Sequence, residues 1–525
     1  MLLETNKVST QLKKVVIVGG GSAGWLTAGV IAAEHLSHSE NGIQVTLIES
    51  PDVNPIGVGE GTWPTMRATL KKMGISETDF VRECDGSFKQ GAKFAKWVTG
   101  EADDWYYHPL VLPEDYANIN LAPYWQAHSD KIPFADAVSL QGYLCEKGLA
   151  PKQNTTPEYA HVANYAYHLD AGKFAMFLQK HCVNKLGVKH VLDHVIDVNP
   201  APDGDIQSVT TKENGDISGD LFIDCSGFSS LLLGQHYKIP FISKEHILFN
   251  DTALAVQVPY PSETSPIASH TISTAQDCGW IWDIGLPSRR GVGYVYSSAH
   301  NSDENAEKTL REYIRPSLGK KADEVALRKI SFKPGHRQKF WHKNCVAVGI
   351  AAGFLEPLEA SALVLIELSA AMISEQLPAN RNVMDVVAKR FNDKFLYRWD
   401  RIIDFLKLHY VLTKRTDSQY WIDNCKPETI PQELKSLLEL WRYNSPWHSD
   451  FTQVDEVFPS ASYQYVLYGM QFETLQRKTL KRTDNPDAAN QCFQKNQQLS
   501  QKLLNGLPSN RELIDKIHQF GLQKI

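Results

Sequence analysis

Residues 15–25 read VVIVGGGSAGW, and the few conformations open to this stretch restrict the whole chain. A run of β-branched residues feeds Gly19-x-Gly21-x-x-Gly24, with Gly20, Ser22 and Ala23 between them, and then the helical stretch LTAGVIAAEHL. Strand, tight turn and helix in that order form a dinucleotide fingerprint. The glycines permit the turn and a close pyrophosphate approach, while the helix start offers free N–H groups and a favourable dipole. The motif has its second half in QVTLIES, where Glu49 stands 25 positions after Gly24 and can accept both ribose hydroxyls. A carboxylate there disfavours a 2′-phosphate, so FAD or NAD suits the site better than NADP.

Later segments complete the nucleotide half. VKHVLDHVIDVNPAPDGDIQSVTTKENGDISGDLFIDCSG reads as short strands joined by Asp-Gly and Asn-Gly turns. KNCVAVGIAAGFLEPLEASALVLIELSAAMISEQLP reads as a buried strand, a Gly/Ala loop and a helix stopped by Pro378. The expected fold is therefore α/β, an FAD-binding, hydroxylase-like fold with an interleaved substrate region and a mostly helical C-terminal part. Its main domain, 12–390, is discontinuous, with FAD segments at about 14–100, 160–235 and 330–378, and 391–525 forms the helical remainder. There is no second GxGxxG between strand and helix, so a flavoprotein of this kind obtains reduced flavin or electrons from elsewhere, or uses a substrate as reductant. A separate NAD(P)H-dependent flavin reductase is the implied partner.

Composition narrows the classes further. A 525-residue chain with 42% hydrophobic residues can bury a large core. A net charge of −6 without a basic block predicts neither nucleic acid nor an anionic membrane as partner. The eight cysteines are scattered with no CxxC pair, against a zinc cluster or a disulfide scaffold, and suggest the reducing cytoplasm. Neither a signal peptide nor a run of roughly 18 apolar residues is found.

One further stretch poses its own question. In CGWIWDIGLP, Trp280 and Trp282 stand two apart on an expected strand, so both rings face the same space. They either wall a passage or fill a core.

The ordered set GGGSAGW, GVGEGTWP, GSFKQGAKF, YHLDAGKFA, GDLFIDCSG, GWIWDIGLP, RRGVGYVYSS and GFLEPLEAS resembles the flavin-dependent tryptophan halogenases, from about residue 14 to about residue 425. The resemblance implies an enzyme in which FADH2 and O2 oxidise a chloride or bromide ion. Hypohalous acid then passes to an electron-rich aromatic, such as an indole or tryptophan derivative, held apart from the flavin. It implies that Trp280 and Trp282 wall the tunnel, that Lys89 is the catalytic lysine and that Glu359 is the second catalytic group. Spacing alone leaves open a solvated helical lysine, with Lys93 and Lys96 better placed for it, and lets Glu356 or Glu359 serve a helix N-terminus. An ammonium can hydrogen-bond hypohalous acid, a neutral amine can form a haloamine, and a carboxylate can take the proton the ring loses.

By the same resemblance the backbone N–H groups of Ser361 and Ala362 hold the halide. Gly20, Ser22, Ala23, Glu49, Glu60, Gly61, Val195 and Ile350 lie along the FAD, and His108 in WYYHPL contacts the substrate by stacking or hydrogen bonding. Ile350 stands where many flavin hydroxylases carry Asp. Two departures are visible. Ile284-Gly285 replaces the family's Ile-Pro, which predicts a looser strand end, and Ala360-Ser361-Ala362 replaces Ser-Thr-Gly. The stretch KFLYRWDRIIDFLKLHYVLTKR has amphipathic helical spacing, and the tail from Lys478 to Ile525 is polar and helical. Expected partners are the reductase and a small aromatic molecule, with a homodimer open as the assembly. The alternatives are a flavin monooxygenase or oxidase without halide incorporation, and a non-catalytic FAD-binding protein on the same scaffold.

Overall fold

The computed structural model describes residues 11–52, 59–475 and 485–524. The first two residues of GVGEGTWP, Gly57 and Val58, and residues 478–484 of the polar tail lie outside the described residues.

β1 (Lys14–Val18) and β2 (Gln44–Glu49) are joined by α1 (Ser22–Glu34), and the two strands pair in parallel. They sit inside a six-stranded sheet. Strand Leu221–Asp224 lies on the other side of β1, followed by Cys345–Ala347, and Lys189–Leu192 flanks β2. The chain thus leaves β1 in one direction and fills the opposite side from segments over 200 residues later, the discontinuity read from the sequence. The crevice beyond the ends of β1 and its neighbours is where open α/β sheets bind ligands. α1 is buried from Gly24 to Ala32. It is covered by helices Ala171–Leu186 and Ser361–Glu375, which accounts for its apolar sequence.

Close approach explains the glycines of the turn. A Cβ on Gly24 would lie 1.9 Å from the Gly19 carbonyl oxygen, and one on Gly19, whose φ is +118°, 2.2 Å from that of Cys225. At Gly21, the N-cap of α1, nothing lies within 4 Å of the added atom.

Over this layer lies a seven-stranded sheet, in the order Arg328–Ser331, Thr252–Pro259, Arg289–Tyr296, Gly279–Gly285, Thr271–Gln276, Gly91–Ala95, Trp105–Pro109. A three-stranded sheet, Gly59–Gly61, Ala166–Asp170 and Ser87–Lys89, adjoins it, and the chain passes from one sheet to the other at Gln90. GSFKQGAKFA is therefore two strands, and the helical spacing of Lys93 and Lys96 has no helix to act on. Lys93 instead pairs with Glu146 and covers the Trp105 ring. β-Branching is scarce in this stretch, and pairing with distant strands outweighs local propensity.

Helix Arg381–Val411 runs without a break for 31 residues, so the division expected at 390/391 falls inside one element. The polar tail forms helices Pro486–Gly506 and Asn510–Phe520. No described helix is long and apolar enough to cross a membrane.

Gly24→Ala is expected to lower the unfolding free energy by about 1–3 kcal/mol, because the methyl group meets backbone. Gly21→Ala is expected to stay within about 0.5 kcal/mol of wild type. Urea unfolding of both variants checks the contrast.

Candidate active site

The crevice at the end of β1 brings together several of the residues singled out in the sequence. α1 begins with no side-chain cap, leaving its first N–H groups free for a phosphate. Glu49, at the end of β2, runs so closely over Gly20 that a Cβ there would lie 2.1 Å from its carboxyl carbon. Its Oε2 is 3.0 Å from His190 Nε2. Burial pushes this carboxyl up, against the pull of His190. Val195 follows three residues after Leu192, the strand partner of Glu49. Ala23 packs under Gly349, where a Cβ would lie 2.8 Å from the alanine methyl, and Ile350 follows in the same turn.

Gly349, Ile350, Ser361 and Ala362 line a mostly apolar cleft with Phe395 and Trp399 of the long helix. An uncapped helix start, a carboxylate at the strand end and an adjoining apolar cleft fit an FAD. Gly20, Ser22, Ala23, Glu49, Val195 and Ile350 are the groups that would hold it.

Glu60 and Gly61 lie on strand Gly59–Gly61, which borders the second centre. Burial pushes the Glu60 carboxyl up to about 7. A Cβ on Gly61 would lie 3.1 Å from Lys89 Nζ, 3.4 Å from Ala360 and 3.6 Å from His168, so these groups meet at one point. Lys89 is buried at the end of strand Ser87–Lys89, and its amine donates to the Thr62 carbonyl at 3.4 Å. Burial lowers its pKa to about 8, with Glu359 acting in opposition. His168 Nε2 is 2.8 Å from the Thr271 hydroxyl, and burial and Lys89 hold this ring neutral.

Glu359 is the hub. His108 Nδ1 is 2.9 Å from both of its oxygens, and His409 Nε2 is 3.2 Å from Oε1. Behind them, Tyr106 OH lies 2.6 Å from His409 Nδ1 and Ser462 Oγ 3.0 Å from His108 Nε2. Burial alone would raise the Glu359 pKa, but the two imidazoles outweigh it and hold the carboxyl well below the usual range. Its backbone is unusual too. Glu359 and Ala360 have φ of 63° and 55°, costing about 1–3 kcal/mol each. Trp63 Nε1 donates to the Glu359 carbonyl at 2.9 Å, fixing that turn. Helix Ser361–Glu375 starts directly after it with no side-chain cap, so the N–H groups of Ser361 and Ala362 are available.

Trp280 and Trp282 do share a face, with ring centroids 6.5 Å apart. Trp282 lies across Gly293, its partner on the next strand, where a Cβ would fall 2.1 Å from the ring. Trp280 meets Trp97 at 6.3 Å, and Trp97 meets His409 at 5.9 Å. Ile284, on the same face, reaches the Gly59–Gly61 strand. This buried face therefore extends from the Glu359 network to the strand carrying Gly61. The strand end at Gly285 is not loose. Its carbonyl accepts from Ser87 Oγ at 2.6 Å, and Ile267 and Tyr260 close over it.

Tyr106, His409, Trp63, His168 and Ser462 escaped the sequence reading. Alternation in WYYHPL places Tyr106 on the face of His108, a signal as strong as that of the tryptophans. His409 sits in an amphipathic helix pattern with nothing to set it apart.

An FAD-type crevice and a buried centre of lysine, glutamate and two imidazoles, which meet where Ala360 runs into Ser361, define a flavoenzyme of hydroxylase-like fold. Residues 14–485 match the family model described as tryptophan halogenase. The chain is 32% identical to tryptophan 6-halogenase SttH of Streptomyces toxytricini over 95% of this chain and 97% of that one. It is 32% identical to tryptophan 7-halogenase RebH of Lentzea aerocolonigenes, over 83% of each. A crystal structure of a tryptophan halogenase from Shewanella frigidimarina NCIMB 400 superposes with a TM-score of 0.96 at 51% identity, covering 98% of this chain and 99% of that one. The chain belongs to the tryptophan halogenase family and is a flavin-dependent halogenase acting on an electron-rich aromatic.

Because Glu359 has a depressed pKa, its contribution to stability is present above the unfolded value of about 4.3 and is lost as pH falls below it. The difference in unfolding free energy between wild type and Glu359→Gln is thus expected to be greatest near neutral pH and to shrink below about pH 4.3. Denaturation across pH 3–7 measures it.

Proposed function

We propose that Lys89 and Glu359 carry the halogenation chemistry of this chain. Bound reduced FAD, with oxygen and a chloride or bromide ion, supplies hypohalous acid. The N–H groups of Ser361 and Ala362 hold the halide at the helix start bordering the cleft, where the dipole favours an anion. The Lys89 ammonium donates a hydrogen bond to the hypohalous oxygen and leaves the halogen electrophilic. With a pKa of about 8 the amine is mostly charged at pH 7, which favours this role over a haloamine.

The observation that carries the reading is Glu359, an ionised carboxylate kept dry between two imidazoles beside a buried ammonium. Such a group stabilises the positive charge that develops on an aromatic ring as halogen adds, and then takes the ring proton, which His108 or His409 can share. The face of Trp280 and Trp282 keeps the substrate from the flavin. His108, engaged through both nitrogens, orients Glu359 and can still offer its ring face to the substrate. The SttH and RebH names specify tryptophan. For this chain we infer an indole or tryptophan derivative. A separate NAD(P)H-dependent flavin reductase in the cytoplasm would provide the reduced cofactor.

Purified protein given FAD, reductase, NADH, oxygen and chloride or bromide is expected to halogenate a member of an indole panel, scored by mass. Lys89→Ala is expected to lower the rate by about 10²–10⁴-fold, and a +16 product independent of halide would overturn the reading. The wild-type rate is expected to fall as pH rises through about 8, where Lys89 loses its proton.

A further inference from the structure

The loop that presents Glu359 also carries a second acid, Glu356, buried at 1% exposure. Three donors converge on its Oε2: Trp280 Nε1 at 2.7 Å, Tyr410 OH at 2.6 Å and Asn250 Nδ2 at 2.7 Å. Asn250 is itself held by the Tyr420 hydroxyl at 3.0 Å. The ionisable amine on this side belongs to Lys407, buried on the long helix, where it donates to Asn424 at 2.9 Å; burial raises the Glu356 pKa against the pull of its three donors and of Lys407.

A buried acid costs several kcal/mol, and here all three donors gather on one oxygen while Oε1 has no partner among the described residues, so filling space is a poor reason to keep it. What Glu356 gains is orientation. It holds the Trp280 indole by its only polar atom, and it holds Tyr410, the residue after His409. Two acids three positions apart on one loop therefore grip successive residues of one helix, and one of them grips the tryptophan face as well.

We propose that Glu356 is a positioning residue that locks Trp280 against the helix bearing His409. The lock keeps the side wall of the passage to the Lys89–Glu359 centre intact, so hypohalous acid reaches the substrate and not bulk water. The proposal rests on the halogenase reading above.

The test compares the full-length wild type with Glu356→Gln, Trp280→Phe, Tyr410→Phe and the Glu356→Gln/Trp280→Phe double variant. Each is given FAD, reductase, NADH, bromide and an accepted indole, with a halogen scavenger tethered to a polymer too large to enter the protein. In Glu356→Gln, halogenated indole per reduced flavin consumed is expected to fall about fivefold and scavenger capture to rise, with the rate of flavin oxidation within twofold of wild type. Trp280→Phe should behave alike and the double variant no worse. Tyr410→Phe supplies the measurement if Glu356→Gln does not fold.

A second readout needs no turnover. The indole N–H proton resonance of Trp280, identified by its loss in Trp280→Phe, is expected to move upfield in Glu356→Gln. An unmoved resonance would remove the hydrogen bond, and a moved one with unchanged yield and capture would reduce Glu356 to a structural role; either overturns the proposal. A wild type that forms no halogenated product with any indole would instead sink the halogenase reading, while the resonance still reports on the bond.

Discussion

Glu359 has to stay charged where water is excluded, and much of the surrounding structure serves that requirement. Breaking a buried, hydrogen-bonded charge pair costs about 3–5 kcal/mol, so an isolated carboxylate at this depth would be protonated or expelled. Two imidazoles lie 2.9 and 3.2 Å from it, and each is held in turn by a hydroxyl, from Tyr106 and Ser462. Those groups come from strand Trp105–Pro109, the long helix and helix Ser460–Gly469, so one carboxylate ties three distant parts of the chain together. The left-handed backbone at Glu359 and Ala360 belongs to the same arrangement. It aims the side chain inward and frees the helix start behind it.

The dryness that makes Glu359 demanding also suits the role proposed for it. In a low-dielectric site a fixed carboxylate acts strongly on a developing positive charge without solvent having to reorganise. Lys89 gains from the same conditions, since burial brings its pKa down while Glu359 keeps it mostly charged near neutrality. The two groups share one environment and are shifted in the same direction, toward lower pKa, by different causes. Burial dominates for the amine, and the imidazoles dominate for the acid.

The nucleotide half was legible because its signals are local. β-Branched residues, glycines at fixed spacing and an acid at the end of the next strand lie within 35 residues and act through backbone sterics. The tryptophan face was legible for the same reason, since strand alternation is a two-residue rule. Lys89 and Glu359 were singled out only by resemblance, and periodicity misjudged the lysine's surroundings. GSFKQGAKFA has no strand signature of its own and becomes strand by pairing with Ala166–Asp170 and Thr271–Gln276. The division at 390 misplaced a boundary because an amphipathic helix reads alike whether it joins two parts or belongs to one.

By itself the sequence determined that this chain has a dinucleotide turn, a discontinuous α/β core and a face with two tryptophans. The turn and the shared tryptophan face follow from short-range sterics and side-chain alternation, and the core from buried runs that recur late in the chain. Only the tertiary structure decided that His108 and His409, 301 positions apart, meet on one carboxylate. It also decided that Glu356 holds Trp280 and that Lys89 lies dry beside Gly61. Burial, and the partners that make burial of charge tolerable, are properties of the packed chain, and no local pattern of residues encodes them.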